Sequence, residues 1–322
     1  MIFTSIPDNY APVTAPLIYL LDFEEQRSEA DVRIVDITHN LTLGVKRLYN
    51  VQRAELNIAP YVKRALQFEC IEGGTSLSSA EGLYVEIALE IDGLLSESRI
   101  YSHYPVIRGH GTLFRTGTKR QSLSRNENDF VVIYAPNGGD ILCESYSGDV
   151  AIDTIPFAIG PQQALQILKI SPADFADNAD SIIIRVEIDG VIDFLTYRIE
   201  PKPERAKRLV WIASDGTLQT YTFPICCERR CRTDKHIVEA QSGRIVTSSV
   251  TEMILVLVSD YETVQEVERL GEILGAKSVW LDEGSSYVKV DVLTAESIVR
   301  YGGALNSLQI EILATDRKEQ LL

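Results

Sequence analysis

The sequence predicts a mainly β chain: two β-sandwich domains in tandem, followed by a smaller α+β domain. Three observations carry this reading. Runs of residues alternate between apolar and polar with the two-residue period of a strand. An Asp-Gly corner follows two such runs, at Asp92-Gly93 and again at Asp189-Gly190. After about residue 205 the pattern changes to one apolar strand, one amphipathic helix and further strands.

The elements follow in chain order. Residues 7–19 form a proline-rich arm that leads into a short apolar run at 17–21. Residues 54–59 alternate and run into a turn at Pro60. In residues 83–91, Leu83, Val85, Ile87, Leu89 and Ile91 share one face and the glutamates Glu86 and Glu90 share the other, which predicts a half-buried strand. Asp92-Gly93 supplies the two positive-φ positions of a tight hairpin, so a return strand is expected towards Ile100 and Tyr101.

Residues 165–174 and 181–199 present the same order again: an alternating run, a proline turn, then Ile182 to Ile188, Asp189-Gly190 and a return strand. The string Glu-Ile-Asp-Gly stands at 90–93 and at 187–190, an offset of 97 residues. That is about the length of one immunoglobulin- or fibronectin-like sandwich, so the second domain reads as a possible duplication of the first. The glycine- and threonine-rich residues 109–120 form the break, and Pro201 and Pro203 close the second domain. The expected domains are 1–112, with an extended N-terminal arm, 113–205 and 206–322.

In the third domain, residues 252–258 are nearly continuously apolar, as in a strand covered on both faces. Ser259 with Glu262 reads as a capping box, and Val264, Val267, Leu270, Ile273 and Leu274 form a helical stripe ended by Gly275, so one helix is expected near 260–275. Strands are expected at 278–281, 287–293 and 307–313.

The totals exclude several functions. A chain of 322 residues exceeds what one core organises, and its 45% hydrophobic content is that of a folded protein. A net charge of −15 repels phosphate, so no nucleic-acid partner is expected; residues 204–208 read as a solvated linker. The N-terminus has neither a basic start nor an apolar core, so no signal peptide and cytoplasmic synthesis are expected, and no run is long enough to span a membrane. Cys70, Cys143, Cys226, Cys227 and Cys231 lack a disulfide framework; the 226–231 cluster, with His236 as its neighbour, lacks the two-residue gap of a zinc-binding pair.

No phosphate loop, nucleophile elbow, zinc-protease helix or dinucleotide fingerprint occurs. His39, His103, His110 and His236 have no metal-ligand spacing. Glu86, Glu90, Asp189 and Asp193 read as strand-surface and turn residues. No catalytic, cofactor or metal residue is assigned, and none of these is expected. A hydrolase using a carboxylate pair stays open, because such pairs carry no local signature.

Residues 207–223, with Trp211 flanked by Val210 and Ile212, Gly216 in the turn, and Tyr221-Thr222-Phe223, resemble a stretch of uncharacterised structural proteins of Bacteroidetes phages and prophages. Gln219 stands where those proteins carry aspartate, and Ala213-Ser214-Asp215-Gly216 replaces their asparagine and paired glycines. Residues 7–19 and 243–315 are similar to the family's opening and C-terminal layout. The resemblance implies a virion- or tail-associated assembly protein that acts through other protein subunits, as a homo-oligomer or within a tail, and is carried from the cytoplasm into the particle. Trp211, Tyr221 and Phe223 are its candidate interface anchors, although strand aromatics also serve as core. An array of carbohydrate- or surface-binding modules is the alternative, with a glycan as partner.

Overall fold

The structure, a computed structural model, describes residues 2–103, 112–114, 120–161, 165–214, 216–240, 243–284, 286–302, 305–314 and 318–321. Most of the expected break at 109–120, together with His110 and Asp215, lies outside the described residues. Strands dominate, as the alternation predicts, and they form four sheets.

The first sheet has seven strands, built around the long hairpin Ile18–Asp36 and Leu41–Asn57 and the strand Tyr84–Ile91. It curls over a core of Tyr19, Leu21, Phe23, Val32, Ile34, Val85, Ile87, Leu89 and Ile91. The alternation read in residues 83–91 is the reason: one parity fills this core. The helix Ala59–Ala65 plugs it with Ala59 and Val62. Pro60 lies in its first turn, where a missing N–H costs no helical bond, so the expected proline turn is a short helix instead.

The second module is a β-sandwich. One layer has the order Arg120–Leu123, Val191–Ile199, Ser181–Ile188, Gly139–Ser147, Val150–Ile159. The other pairs Ser76–Ser79, Leu165–Ile170, Asp129–Tyr134 and Thr112–Phe114. Between them lie Val131, Ile133, Leu168 and Ile170 against Ile141, Ile182, Ile184, Val186, Leu195 and Tyr197.

Ser76–Ser79 comes from the first module's part of the chain, so a boundary at 112 does not separate the sheets cleanly. Asp174 accepts from Thr75 N, and the Lys169 ammonium donates to the carbonyls of Ile71 (2.8 Å) and Gly73 (2.6 Å), which fixes this crossing segment.

All six residues of Leu165–Ile170 and all six of Asp129–Tyr134 are buried. The far face of this sheet carries Phe130, Val132, Tyr134, Leu165 and Ile167, and packs on Phe68, Ala80 and Leu83 of the first module and on Val210, Leu218 and Trp280 of the third. Residues 165–170 were expected to alternate; the other modules cover their second face and remove the reason for a polar parity. Each fully buried side chain there contributes roughly 1.5–3 kcal/mol.

The two Asp-Gly corners match locally. Asp92 and Gly93 have φ of 54° and 77°, and Asp189 and Gly190 have 51° and 74°, as a primed hairpin turn requires. The likeness stops at the sheets. Residues 54–57 and the first hairpin share one sheet, whereas Leu165–Ile170 and the second hairpin lie in opposite layers.

The third module is α+β: an eight-stranded sheet with one α-helix, Val264–Gly271, continued by a 3-10 turn to Gly275. Val267, Leu270 and Ile273 are buried against Trp211, Phe223, Leu257 and Ile310, as the helical stripe predicts. The cap is Thr263, whose hydroxyl accepts from Glu266 N at 3.3 Å. Ser259, the expected cap, instead accepts from Leu308 N at 2.8 Å and ties the last strands together.

Gly82 combines a positive φ with backbone packed against its α-carbon, so a Cβ would collide with the Gln67 carbonyl and the Phe68 backbone; Gly93 has a positive φ but open space around it. Gly93→Ala is expected to cost about 1 kcal/mol, the conformational penalty alone. Gly82→Ala should cost clearly more. Urea unfolding of both variants checks the difference, and equal losses would refute the close-packing argument.

Candidate functional site

A polar network of charged and hydroxyl side chains is buried where the second and third modules meet. Arg208 and Asp129 are 3% and 0% exposed, with Arg208 Nη2 3.3 Å from Asp129 Oδ1. Lys207–Ile212 carries the arginine, and the strand Asp129–Tyr134 with the turn before it carries Asp129 and Glu127, so the network forms only when the modules dock. Arg208 donates through Nε to the Asn128 carbonyl (2.8 Å), through Nη1 to Thr222 Oγ1 (3.0 Å) and through Nη2 to Thr220 Oγ1 (2.9 Å).

Asp129 accepts from Thr220 Oγ1 at 2.7 Å and from Tyr197 OH at 2.6 Å. Thr222 donates to Glu127 Oε1 at 2.9 Å, and Lys202 stands 3.0 Å from the same oxygen. Asp282 accepts from Asn128 N at 3.3 Å and from Gly284 N at 2.7 Å. Burial pushes the Glu127 carboxyl up, but Arg208, Lys202 and the Ser124 N–H together outweigh it and hold the group below the usual carboxylate range.

A cleft of about 610 Å³ opens above this network, lined by Glu127, Lys202, Arg208, Tyr221, Glu262 and Arg269 among others. Its carboxylates are all engaged. Glu262 accepts from Tyr221 OH at 2.8 Å, Glu266 is held by Arg269, Glu200 lies 3.3 Å from Arg198, and Asp260 accepts from Tyr261 N at 2.7 Å.

A second cleft, of about 840 Å³, lies on the first module beside Asp36, His39, Tyr61, Arg64 and Cys70. Asp36 accepts from His39 N (3.1 Å) and bonds its Nδ1 (2.8 Å), closing the hairpin turn. Burial, with Lys277 and Lys63 nearby, pulls His103 down to about 4. Burial pushes the Cys70 thiol up, which removes thiolate character.

Trp211 and Phe223, expected as interface anchors, are fully buried in the third module's core and cannot reach a partner. Strand alternation turns both inward, against the helix. Tyr221 is the partial exception: its ring stacks edge-on against Phe223 at 5.0 Å and its hydroxyl lines the inter-module cleft.

Glu86, Glu90, Asp189 and Asp193 do not converge in either cleft. Glu86 accepts from Ser98, Glu90 lies 3.7 Å from Arg33, Asp189 accepts from Asn137 Nδ2 at 2.9 Å, and Asp193 accepts from Phe194 N at 2.9 Å. Cys226 is half-buried, and Cys227 and Cys231 are exposed free thiols on the strand Ile225–Ala240. No three metal-binding side chains gather among the described residues.

The surface residues that sequence reasoning missed are apolar. Ile237, Val238 and Ile245 lie at the far end of the hairpin Ile225–Ala240 and Gly243–Val258, and Phe194 and Ile192 lie on the second module's outer layer. Their signal was readable: residues 191–195 and 237–238 are apolar at both parities of a strand, and only one parity can face a core.

No protein-family model and no curated protein matches the chain. Among solved structures, Salmonella alpha-2-macroglobulin reacted with methylamine matches 91% of this chain and 28% of its own, at 10% identity and a TM-score of 0.21. The native conformation of E. coli alpha-2-macroglobulin matches 99% and 34%, at 8% identity and 0.20. The chain thus spans at most about a third of either structure, and neither likeness bears on what it binds or does.

Arg208→Ala leaves Asp129 buried without its cation and should lower stability by about 3–5 kcal/mol in urea unfolding; a loss below about 1 kcal/mol would show the pair to be incidental. Glu127 is held below its unfolded value of roughly 4.3, so its stabilisation is present above that pH and is lost as pH falls through the folded value. Acid titration of Glu127→Gln should therefore show a shallower loss of stability below about pH 4.3 than the parent. Identical acid limbs would contradict this sign.

Proposed function

We propose that this chain is a non-catalytic structural protein that works through contacts with other protein subunits, within a phage or prophage particle. The carrying observation is the projecting hairpin Ile225–Ala240 and Gly243–Val258. Its strands of 16 residues are each roughly 50 Å long, and Ile237, Val238 and Ile245 at its far end are 47%, 44% and 48% exposed. Apolar residues grouped that far from any core suit contact with another molecule.

The body behind the hairpin supports the same reading. Three modules meet on one doubly covered sheet, and a buried polar network joins the second to the third, which suits a part that must hold its shape while neighbours push on it. The carboxylates of the cleft above Arg208, and Asp36 and His39 of the second cleft, are already bonded within the fold, which favours structure over catalysis. The phage setting rests on the resemblance of residues 7–19, 207–223 and 243–315. On that setting the protein is made in the cytoplasm and carried into a virion or tail, with no cofactor.

Light scattering coupled to size exclusion, followed by electron microscopy, tests the proposal. Rings, tubes or other defined oligomers are expected. A chain that stays monomeric at its highest soluble concentration, alone and when co-produced with the products of its neighbouring genes, would overturn it.

A further inference from the structure

Two uncovered surfaces of the molecule complement each other. The first is the outer part of the hairpin just described. Residues 229–251 hold five cations, Arg229, Arg230, Arg232, Lys235 and Arg244, against two carboxylates, Asp234 and Glu239, in a chain whose total is −15. The ribbon is a basic, apolar-tipped projection from an acidic body. Arg230 lies near Glu228 and Glu311, Arg232 near Asp234 and Arg244 near Glu239, so the excess positive charge rests on Arg229 and Lys235, below the apolar tip. The strand Lys318–Leu321 pairs with residues 248–251, and beyond it the ribbon is two-stranded among the described residues. A two-stranded ribbon is marginal in water, and one with β-branched apolar residues on both faces gains most from being covered.

The second surface is the outer face of the sandwich layer formed by residues 139–159 and 181–199. Its inner parity, Ile182, Ile184, Val186 and Leu195, is core. Its outer parity is laid out by the strand register. Pro156, Leu142, Arg185 and Phe194 form one row across four strands; Ala158, Asp140, Glu187 and Ile192 form the next; Thr154, Glu144, Ile183 and Thr196 flank the other side. Phe194 and Ile192 are 48% and 44% exposed. Arg185 is paired with Glu187 at 2.8 Å, so the face presents an apolar centre with an excess of negative charge from Asp140, Glu144 and Glu187. An exposed aromatic in such a setting is the usual anchor of an interface.

We propose that the 229–251 ribbon of one copy seats on this face of a second copy. The inference rests on the assembly reading and names its partner: another copy of this chain. Opposite charge steers the ribbon in, and Phe194, Ile192 and Leu142 give Val238 and Ile245 an apolar seat. Because the two patches differ, the contact is heterologous, and repetition gives a ring or a filament. Edge-to-edge pairing of the same strand in two copies is disfavoured, because Arg229, Arg230 and Arg232 guard that edge.

Phe194→Glu and Val238→Asp change exposed positions and should leave the unfolding midpoint close to that of the parent. Each alone should weaken self-association at least about tenfold in sedimentation velocity. Mixed one to one, the two variants should form a dimer and stop, since only the Phe194→Glu ribbon on the Val238→Asp face is productive. A photo-crosslinker placed at position 238 of the otherwise unaltered chain should join residues 183–196 of a second copy, which tests the contact without either charge change. Parent-like self-association by both variants, or crosslinks confined to residues 225–258, would overturn this pairing and leave the assembly reading intact. A parent that is monomeric by itself would overturn this pairing, and one that also stays monomeric with the products of its neighbouring genes would overturn both.

Discussion

Everything on the outside of this molecule depends on one buried cation. Arg208 enters the junction between the second and third modules with nearly all its surface removed from water, and it is tolerable there only because Asp129, Asn128, Thr220 and Thr222 take up its donors. Those partners come from two modules. The bonds are directional, so they close in one relative placement, and a slipped arrangement would strand a charge in the interior. Tyr197 and Lys202 extend the same network to the sandwich's opposite layer and to the linker, which makes the linker part of the joint.

The apolar half of the joint is the sheet of Asp129–Tyr134 and Leu165–Ile170. It serves as the inner layer of one sandwich and as the floor on which the first and third modules rest. The strand Ser76–Ser79 completes it from outside its own module, and Lys169 and Arg125 stitch the adjoining loops by donating to backbone carbonyls. Arg125 alone reaches those of Pro172, Phe175, Ala176 and Ala179. Cations used this way leave acidic groups in excess at the surface, which matches the chain's net charge of −15. The basic ribbon is the local departure from that rule. A stiff acidic body with a basic projection has polarity, and polarity is what a head-to-tail contact requires.

Much of the fold is legible in the order of residues. Leu83 to Ile91 alternate, and one face is core; Asp92-Gly93 and Asp189-Gly190 demand positive φ, and hairpins turn there; Val267, Leu270 and Ile273 recur at helical spacing, and they pack. The surface chemistry is less legible. Trp211 and Phe223 look like recognition aromatics as letters but are core, while Phe194, an unremarked member of an alternating run, is exposed. The cap at Thr263 in place of Ser259 is a similar case: both sites satisfy the motif, and a tertiary bond from Leu308 N claims the serine.

The sequence by itself determined the local geometry: which runs are strands, where they reverse, where a helix sits, and that the chain is acidic and mainly β. These follow from side-chain period and backbone freedom, which act over a few residues. Only the tertiary structure decided that Ser76–Ser79 joins another module's sheet, that Leu165–Ile170 is buried on both sides, and that Arg208 meets Asp129. Those contacts join residues tens of positions apart. Their stability comes from desolvation and directional bonding among groups that no local pattern brings together.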